Sequence, residues 1–165
     1  MLALRYVYLT ALVIWLGGMV VLGAIVAPAT FQVLQAGAPD IGRMLAGNLF
    51  GVILGRFQYV AYAAGAALFV TLAAMALLGP RPSGFAIRMA IIAVMIAVAL
   101  YTGFSVLAEI DGIQGAIGTL PSQLAAGDPR RLRFDHLHQL STRLMTFNMV
   151  AALALLYWEA KEHVR

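Results

Sequence analysis

The hydrophobic positions of this chain come in long, nearly uninterrupted blocks rather than at the spacing of a soluble helix or strand. Four blocks can each cross a hydrocarbon layer of about 30 Å, which takes roughly 20 helical residues. Because backbone groups in lipid must bond within their own segment, each block is predicted to be helical. The fold class is therefore all-α, an integral membrane antiparallel four-helix bundle, with residues 1–165 as a single membrane domain. The predicted spans lie at about 5–34, 56–78, 86–109 and 134–158.

The connections between the blocks predict how the helices pair. The stretch GPRPSG at 79–84 is so short that spans two and three must form an antiparallel hairpin. Residues 110–133 are predicted to be a polar loop. Near its end, Asp128 and Pro129 are typical of a helix start, with a capping side chain before proline at the first helical position. Asp40 is predicted to cap a helix that continues into span two.

Three glycines precede span two at a spacing of four residues: Gly47, Gly51 and Gly55. This spacing places them on one face of a helix, where another backbone can approach closely. We therefore predict a helix-packing face there.

The composition supports the membrane class and excludes several others. Only 11% of residues are charged, against about a quarter in soluble domains. The net charge of +4 does not indicate nucleic acid, because the basic residues flank the apolar blocks. The expected partners are membrane lipids, with other membrane protein subunits or a second copy of the chain. The absence of cysteine from the sequence excludes disulfides, thiolate metal sites and cysteine nucleophiles.

The orientation rests on the loops. The first block continues to about Val26 without a cleavage site, so it is interpreted as a retained span. Four spans place both termini on one side of the membrane. The basic residues nearly balance between the two sides, but the shortest loop carries Arg81 and no acid. Short basic loops favour the cytoplasm, so both termini are predicted to be cytoplasmic.

Polar residues inside the spans are the candidate functional residues, because an ionisable group in lipid is costly. On span three, Thr102, Ser105 and Glu109 follow a spacing of three and four, which predicts one polar stripe. Asp111 follows directly. Since spans three and four are antiparallel neighbours, Glu109 or Asp111 is expected to meet Arg143 or a histidine.

Span four supplies the other side of this candidate polar path. His138 and Ser141 share a helical face, and Met145 lies two turns beyond His138. Three interpretations stay open for the meeting of Glu109 or Asp111 with Arg143 or a histidine: a structural ion pair, a proton or ion relay, and a metal site. The metal hypothesis places copper or zinc on His138 and Met145.

The histidines limit the cofactors. His136 and His138 are two residues apart, so on a helix they point apart and do not chelate one ion together. All three histidines lie on span four or its tail, which argues against an intramolecular bis-histidine haem. The neighbouring arginines, Arg130, Arg131 and Arg133, are interpreted as a headgroup-facing collar, with an anionic lipid site as the alternative.

Several short motifs carry a family resemblance. WLGGMVVLGAIVAPATF at 15–31, AGNLFGVILGRF and RFDHLHQLSTRL resemble signatures of the TMEM205-like, DUF4149 membrane proteins. The last motif matches the family pattern at Phe134, Leu137, His138 and Ser141. The pattern has an asparagine four residues after the serine, where this chain has Met145, and the nearest asparagine is Asn148. The chain is also distantly similar to the copper-resistance D membrane domains. The resemblance implies a four-helix membrane protein of largely unassigned activity, linked to metal-drug resistance.

Two functions follow as hypotheses. The leading one is a small membrane protein for transport or permeation of a metal ion or another small solute, with the polar stripe lining the path. The alternative is a non-catalytic accessory or scaffold subunit of a larger membrane complex, packing against partner helices, lipids or pigments. No nucleophile–base pattern, phosphate loop or HExxH motif occurs in the sequence, so an enzyme is not expected.

Overall fold

A computed structural model of the chain describes residues 1–38 and 41–163. Four long helices account for most of these residues: α1 (Leu2–Gly37), α2 (Gly42–Leu78), α3 (Phe85–Ile117) and α4 (Pro129–His163). All four are long and apolar enough to cross a membrane. This confirms the predicted all-α, four-helix membrane fold. Since each helix has more than 30 residues and a span needs roughly 20, the helices must tilt or project from the bilayer.

The helices form a ring around one core. α1 and α3 each pack against both α2 and α4. One end of the bundle holds the start of α1, the 79–84 hairpin and the end of α4, as shown by contacts of Glu162 with Arg5 and Ser83. We call this the terminus end, and the opposite end, which carries the 118–128 connection, the loop end.

The terminus half of the bundle is closed by side chains from all four helices. A cluster that we call the plug consists of fully buried residues: Tyr8, Leu12, Leu68, Leu72, Ile92, Met95, Ala152 and Leu155. Because lipid tails are as apolar as these side chains, close van der Waals packing between the helices holds the plug together.

The hairpin between α2 and α3 requires a glycine. Gly84 has a φ of 61°, a left-handed conformation that side chains with a Cβ rarely adopt. A Cβ at this position would also collide with the ring of Trp158 on α4. The turn and the packing of α4 on it therefore depend on the same residue.

The third helix is longer than the sequence predicted. α3 contains a π-helical turn at Thr102–Leu107 and then continues past Glu109 to Ile117. It ends where Gly118 takes a left-handed conformation with a φ of 65°, a usual helix stop. The connection to α4 is thus 118–128 instead of the predicted 110–133 loop, because polar residues alone do not end a helix.

The start of α4 lies where Asp128 and Pro129 predicted it. The backbone N–H of Arg130 donates to Asp128 Oδ1 at 2.8 Å, and its guanidinium donates to Oδ2 at 2.9 Å. These bonds satisfy a helix N-terminus that would otherwise lack partners. The predicted cap at Asp40 lies outside the described residues, and α2 begins at Gly42.

The cap on α4 predicts a pH dependence. The Arg130 side chain, followed by the backbone bond from Arg130, lowers the pKa of Asp128. Because the folded-state pKa is the lower one, the cap contributes fully above the ordinary carboxyl pKa of about 3.9 and is lost as pH falls through the folded value. We expect amide exchange at residues 130–132, corrected for intrinsic rates, to rise in acid. In Asp128→Ala, amide exchange at residues 130–132 should already be faster at neutral pH. Unchanged protection of these amides in that variant would contradict the cap.

Candidate functional site

Three cavities lie inside the bundle, and residues from all four helices line each of them. One at the terminus end has a volume of about 340 Å³. One at the loop end has a volume of about 550 Å³. A much smaller central cavity of about 30 Å³ lies between the helices in the middle. Each cavity therefore lies between all four helices, and the terminus-end and loop-end cavities are open at the surface.

The loop-end cavity contains one of the predicted site residues, His138. Its lining also includes Arg43, Asn48, Gln114 and Asp135. The His138 ring stacks on the ring of Phe134, with centroids 6.1 Å apart and an angle of 8° between the planes. This end of the bundle therefore presents a polar cavity with charges of both signs.

The central cavity collects neutral polar side chains. Thr102 and Ser141, both predicted, line it together with Gln58 and Asn148. The Thr102 hydroxyl donates to the Val98 carbonyl at 2.8 Å. Thr102 begins the π-helical turn of α3, and such turns occur frequently at functional sites.

Asn148 is the most constrained of these polar groups. It is 5% exposed, and its Nδ2 donates to the Met95 carbonyl at 3.3 Å. Its Oδ1 accepts no hydrogen bond from the described part of the protein.

The terminus cavity is bordered by a buried ion network, which we define as Arg5, Arg88, Glu159 and Glu162. Arg88 is fully buried and Glu159 is 2% exposed, and the two form an ion pair. Arg88 Nη1 lies 3.3 Å from Glu162 Oε2, and Arg5 Nε lies 3.2 Å from Glu159 Oε2. The guanidinium carbon of Arg88 stands 5.0 Å from the ring centroid of Tyr8, a cation–π distance. The network therefore joins α1, α3 and α4 with two positive and two negative charges.

Sequence reasoning missed this network. The sequence analysis interpreted the basic residues in general as flanks of the apolar blocks, and among ionisable groups inside the spans it weighed Glu109, Asp111, His138 and Arg143. Two signals were present. Arg88 lies inside the apolar block of the third span, and Glu159 and Glu162 are three residues apart, on one helical face.

In the structure, Glu109 pairs with Arg133 and not with Arg143, one of the partners that the sequence suggested. The Glu109 carboxylate accepts hydrogen bonds from Arg133 at 2.6 and 2.8 Å. Arg143 lies ten residues further along α4, or about 15 Å at 1.5 Å per residue, and therefore at another depth. The Arg143 side chain is exposed. The Glu109–Arg133 pair is about half exposed, and such pairs contribute little to stability on their own.

The collar arginines bind the start of α4 to the loop-end connection and to α3. Arg130 pairs with Asp128, and Arg133 pairs with Glu109. Arg131 donates to the carbonyls of Leu124 at 2.8 Å and Ser122 at 3.3 Å. Each arginine of the predicted collar thus has a partner within the chain, and the connection lies against the loop-end cavity.

The predicted polar stripe on α3 divides at the π-helical turn. Thr102 is buried and faces the central cavity, whereas Ser105, Glu109 and Asp111 are exposed. A π-helical turn contains more residues than an α-helical turn. The spacing of three and four therefore does not keep these side chains on one face.

The glycines of the predicted packing face have only ordinary neighbours. A Cβ at Gly47 would lie 3.8 Å from Gln114 Nε2, and one at Gly51 would lie 3.9 Å from Asp111 Oδ1. At Gly55, a Cβ would meet open space in the described part of the chain. Close approaches occur instead at Gly65, where a Cβ would lie 2.8 Å from Ile96 Cγ1, and at Gly18, where it would meet the Phe57 ring.

The two residues of the metal hypothesis line different cavities. His138 lines the loop-end cavity, and Met145 lines the central one. Within residues 1–38 and 41–163, no group of three or more His, Cys, Asp or Glu side chains is placed to hold a metal ion. Copper or zinc binding by His138 and Met145 stays a prediction from the sequence.

These features define a class: a multi-pass, all-α membrane protein with cavities between its four spanning helices, in contact with lipid. A model of the family described as Domain of unknown function (DUF4149) matches residues 10–118. The chain belongs to this family. The match covers α1 from Thr10, α2 and α3, whereas α4, with Ser141, Asn148 and Glu159, lies beyond it. No curated protein and no solved structure matches the chain.

Proposed function

We propose that this protein moves a small solute, a metal ion or another small polar species, across the membrane along the axis of its bundle. The observation that carries the proposal is the series of three cavities, each lined by all four helices. Polar side chains in the interior of a membrane bundle commonly mark substrate or ion paths. With both termini in the cytoplasm, as the basic hairpin predicts, the terminus cavity opens to the inside.

The proposed path is closed in this conformation. The plug fills the bundle between the terminus cavity and the central cavity with fully buried side chains such as Leu68 and Leu155. Passage requires the helices to separate at this level. The ion network ties α1, α3 and α4 at the same end, so its rearrangement would accompany opening.

Flux through reconstituted protein tests the proposal. Ser141 lines the central cavity, whereas Ser105 does not and is exposed on α3. We expect proteoliposomes to pass at least one species from a panel of protons, monovalent cations, copper, zinc and small uncharged solutes. Ser141→Leu fills the central cavity and should reduce that flux to the level of empty liposomes, and the matched Ser105→Leu should not.

Two results would contradict transport. One is flux no higher than in empty liposomes for the whole panel, with protein that is folded by circular dichroism. The other is equal flux through the two serine variants. Loss of copper or zinc flux alone in His138→Ala would identify a metal ion as the solute.

The accessory-subunit hypothesis has its own supporting observation. Gln139, Arg143 and Thr146 are exposed on α4, and their spacing of four and three places them on one face. An arginine facing lipid is costly, and polar side chains between membrane helices form hydrogen bonds. A partner helix that packs on this face would supply hydrogen-bond partners for these polar side chains. Under this hypothesis no solute passes, and the chain purifies with a stoichiometric partner that Arg143→Leu releases.

A further inference from the structure

We infer that the central cavity binds an uncharged, water-sized molecule that donates hydrogen bonds, and that this site sets the substrate class of the path. The binding site stands on the geometry alone. The statement about substrate class rests on the proposed transport function. The relevant side chains are Gln58, Thr102, Ser141 and Asn148, one or two from each of α2, α3 and α4.

The unpaired oxygen of Asn148 indicates a ligand that donates. Asn148 is more than nine-tenths buried, and its Oδ1 lacks a partner among the described residues. The amide orientation is fixed by its other bond, because Nδ2 faces the Met95 carbonyl and an oxygen there would oppose another acceptor. A buried acceptor without a partner is costly. A donor in the adjacent cavity removes that cost.

The size of the cavity limits the ligand to about one small molecule. Its volume is about 30 Å³, and a water molecule needs a cavity of roughly 10–15 Å³ or more. Such a water also needs two to four polar partners. The Thr102 hydroxyl oxygen, the Ser141 hydroxyl and the Gln58 amide are the further polar groups in the lining.

The lining disfavours a charged ligand. None of the described residues around the central cavity is charged. An ion that left water for this site would lose its hydration shell, and so few neutral groups do not replace it. The ion network and the charges of the loop-end cavity lie at the two ends. Arg56 and Arg143 lie near the depth of the central cavity, but both are exposed and neither lines it. The ends therefore admit polar solutes, and the centre selects uncharged ones.

Radiolytic footprinting tests the site with water as the probe. X-ray pulses convert bound water to hydroxyl radicals, which oxidise the side chains next to it. Trp15 and Met19 line the central cavity and are 1% and 3% exposed, so radicals from bulk water do not reach them. Met95 is fully buried in the plug and serves as the internal reference. In the full chain in micelles, Trp15 and Met19 should oxidise several-fold faster than Met95, and Asn148→Leu should remove the difference.

A pair of threonines provides matched variants if Asn148→Leu fails to fold. Thr102 and Thr71 are each 6% exposed, and each donates to the carbonyl four residues earlier. Only Thr102 lines the central cavity. Thr102→Val should slow the oxidation of Trp15 and Met19, and Thr71→Val should leave it unchanged.

The outcomes separate this inference from the transport proposal. Oxidation of Trp15 and Met19 as slow as that of Met95, or an equal effect of the two threonine variants, overturns the binding site even if solutes cross the membrane. Rapid oxidation without any flux supports the site and contradicts transport. Suppose that Trp15 and Met19 oxidise as expected. An ion flux that equals or exceeds the flux of uncharged solutes then overturns the assignment of the substrate class.

Discussion

Arg88→Met should destabilise the folded bundle by about 3–5 kcal/mol, the cost of breaking a buried ion pair from one side. The variant leaves the carboxylate of Glu159 almost fully buried without the guanidinium that pairs with it on α3. Arg5 remains near Glu159 at 3.2 Å, but its side chain is 33% exposed, so this pair is more strongly screened by solvent than the buried pair with Arg88. The free energy of unfolding can be measured by titrating SDS into detergent micelles.

The matched control is Arg81→Met, which removes an exposed arginine from the hairpin at the same end. This variant should change stability little, as expected for a surface charge. The double variant with Arg88→Met and Glu159→Gln should recover much of the loss, because it removes both charges of the buried Arg88–Glu159 pair together. Equal effects of Arg81→Met and Arg88→Met, or a strictly additive double variant, would contradict an energetically coupled network.

The network also shows why the sequence predicted one end of the bundle better than the other. Arg88 and Glu159 each lie near a helix end, where charged residues usually reach the headgroups. Only the rotation of α3 and α4 about their axes turns both side chains inward, and an apolar block with hydrophobic residues on all faces does not specify that rotation. The four spans, by contrast, follow from length and composition, so the fold class was predictable.

The candidate site was predictable only in part. Thr102, Ser141 and His138 were identified because polar residues in apolar blocks are conspicuous, and all three line cavities. The position of Ser105 was predicted wrongly. The polar stripe assumed the period of an α-helix, and the π-helical turn in α3 changes that period. Asn148 was not among the residues that the sequence predicted as a site. Its unpaired oxygen and its place in the central cavity required the tertiary structure.

A comparison of two glycines in α2 tests which face of that helix holds the bundle together. Gly65→Leu should destabilise the fold by about 1–3 kcal/mol or more through overpacking. A Cβ there would lie 2.8 Å from Ile96 Cγ1 and 3.1 Å from Trp15 Cζ3. Since Trp15 also lines the central cavity, flux through the protein should fall as well. The same SDS titration measures the stability.

Gly55→Leu is the matched control, because both positions are interior to α2 and gain the same helix propensity. A Cβ at Gly55 meets open space in the described chain, so this variant should keep its stability and its flux. Greater damage from Gly55→Leu than from Gly65→Leu would mean that the predicted face of Gly47, Gly51 and Gly55 packs against something outside this chain. That result would favour the accessory-subunit hypothesis. The glycine face, which has no close contacts within this chain, would then be the face on which assembly with a partner depends.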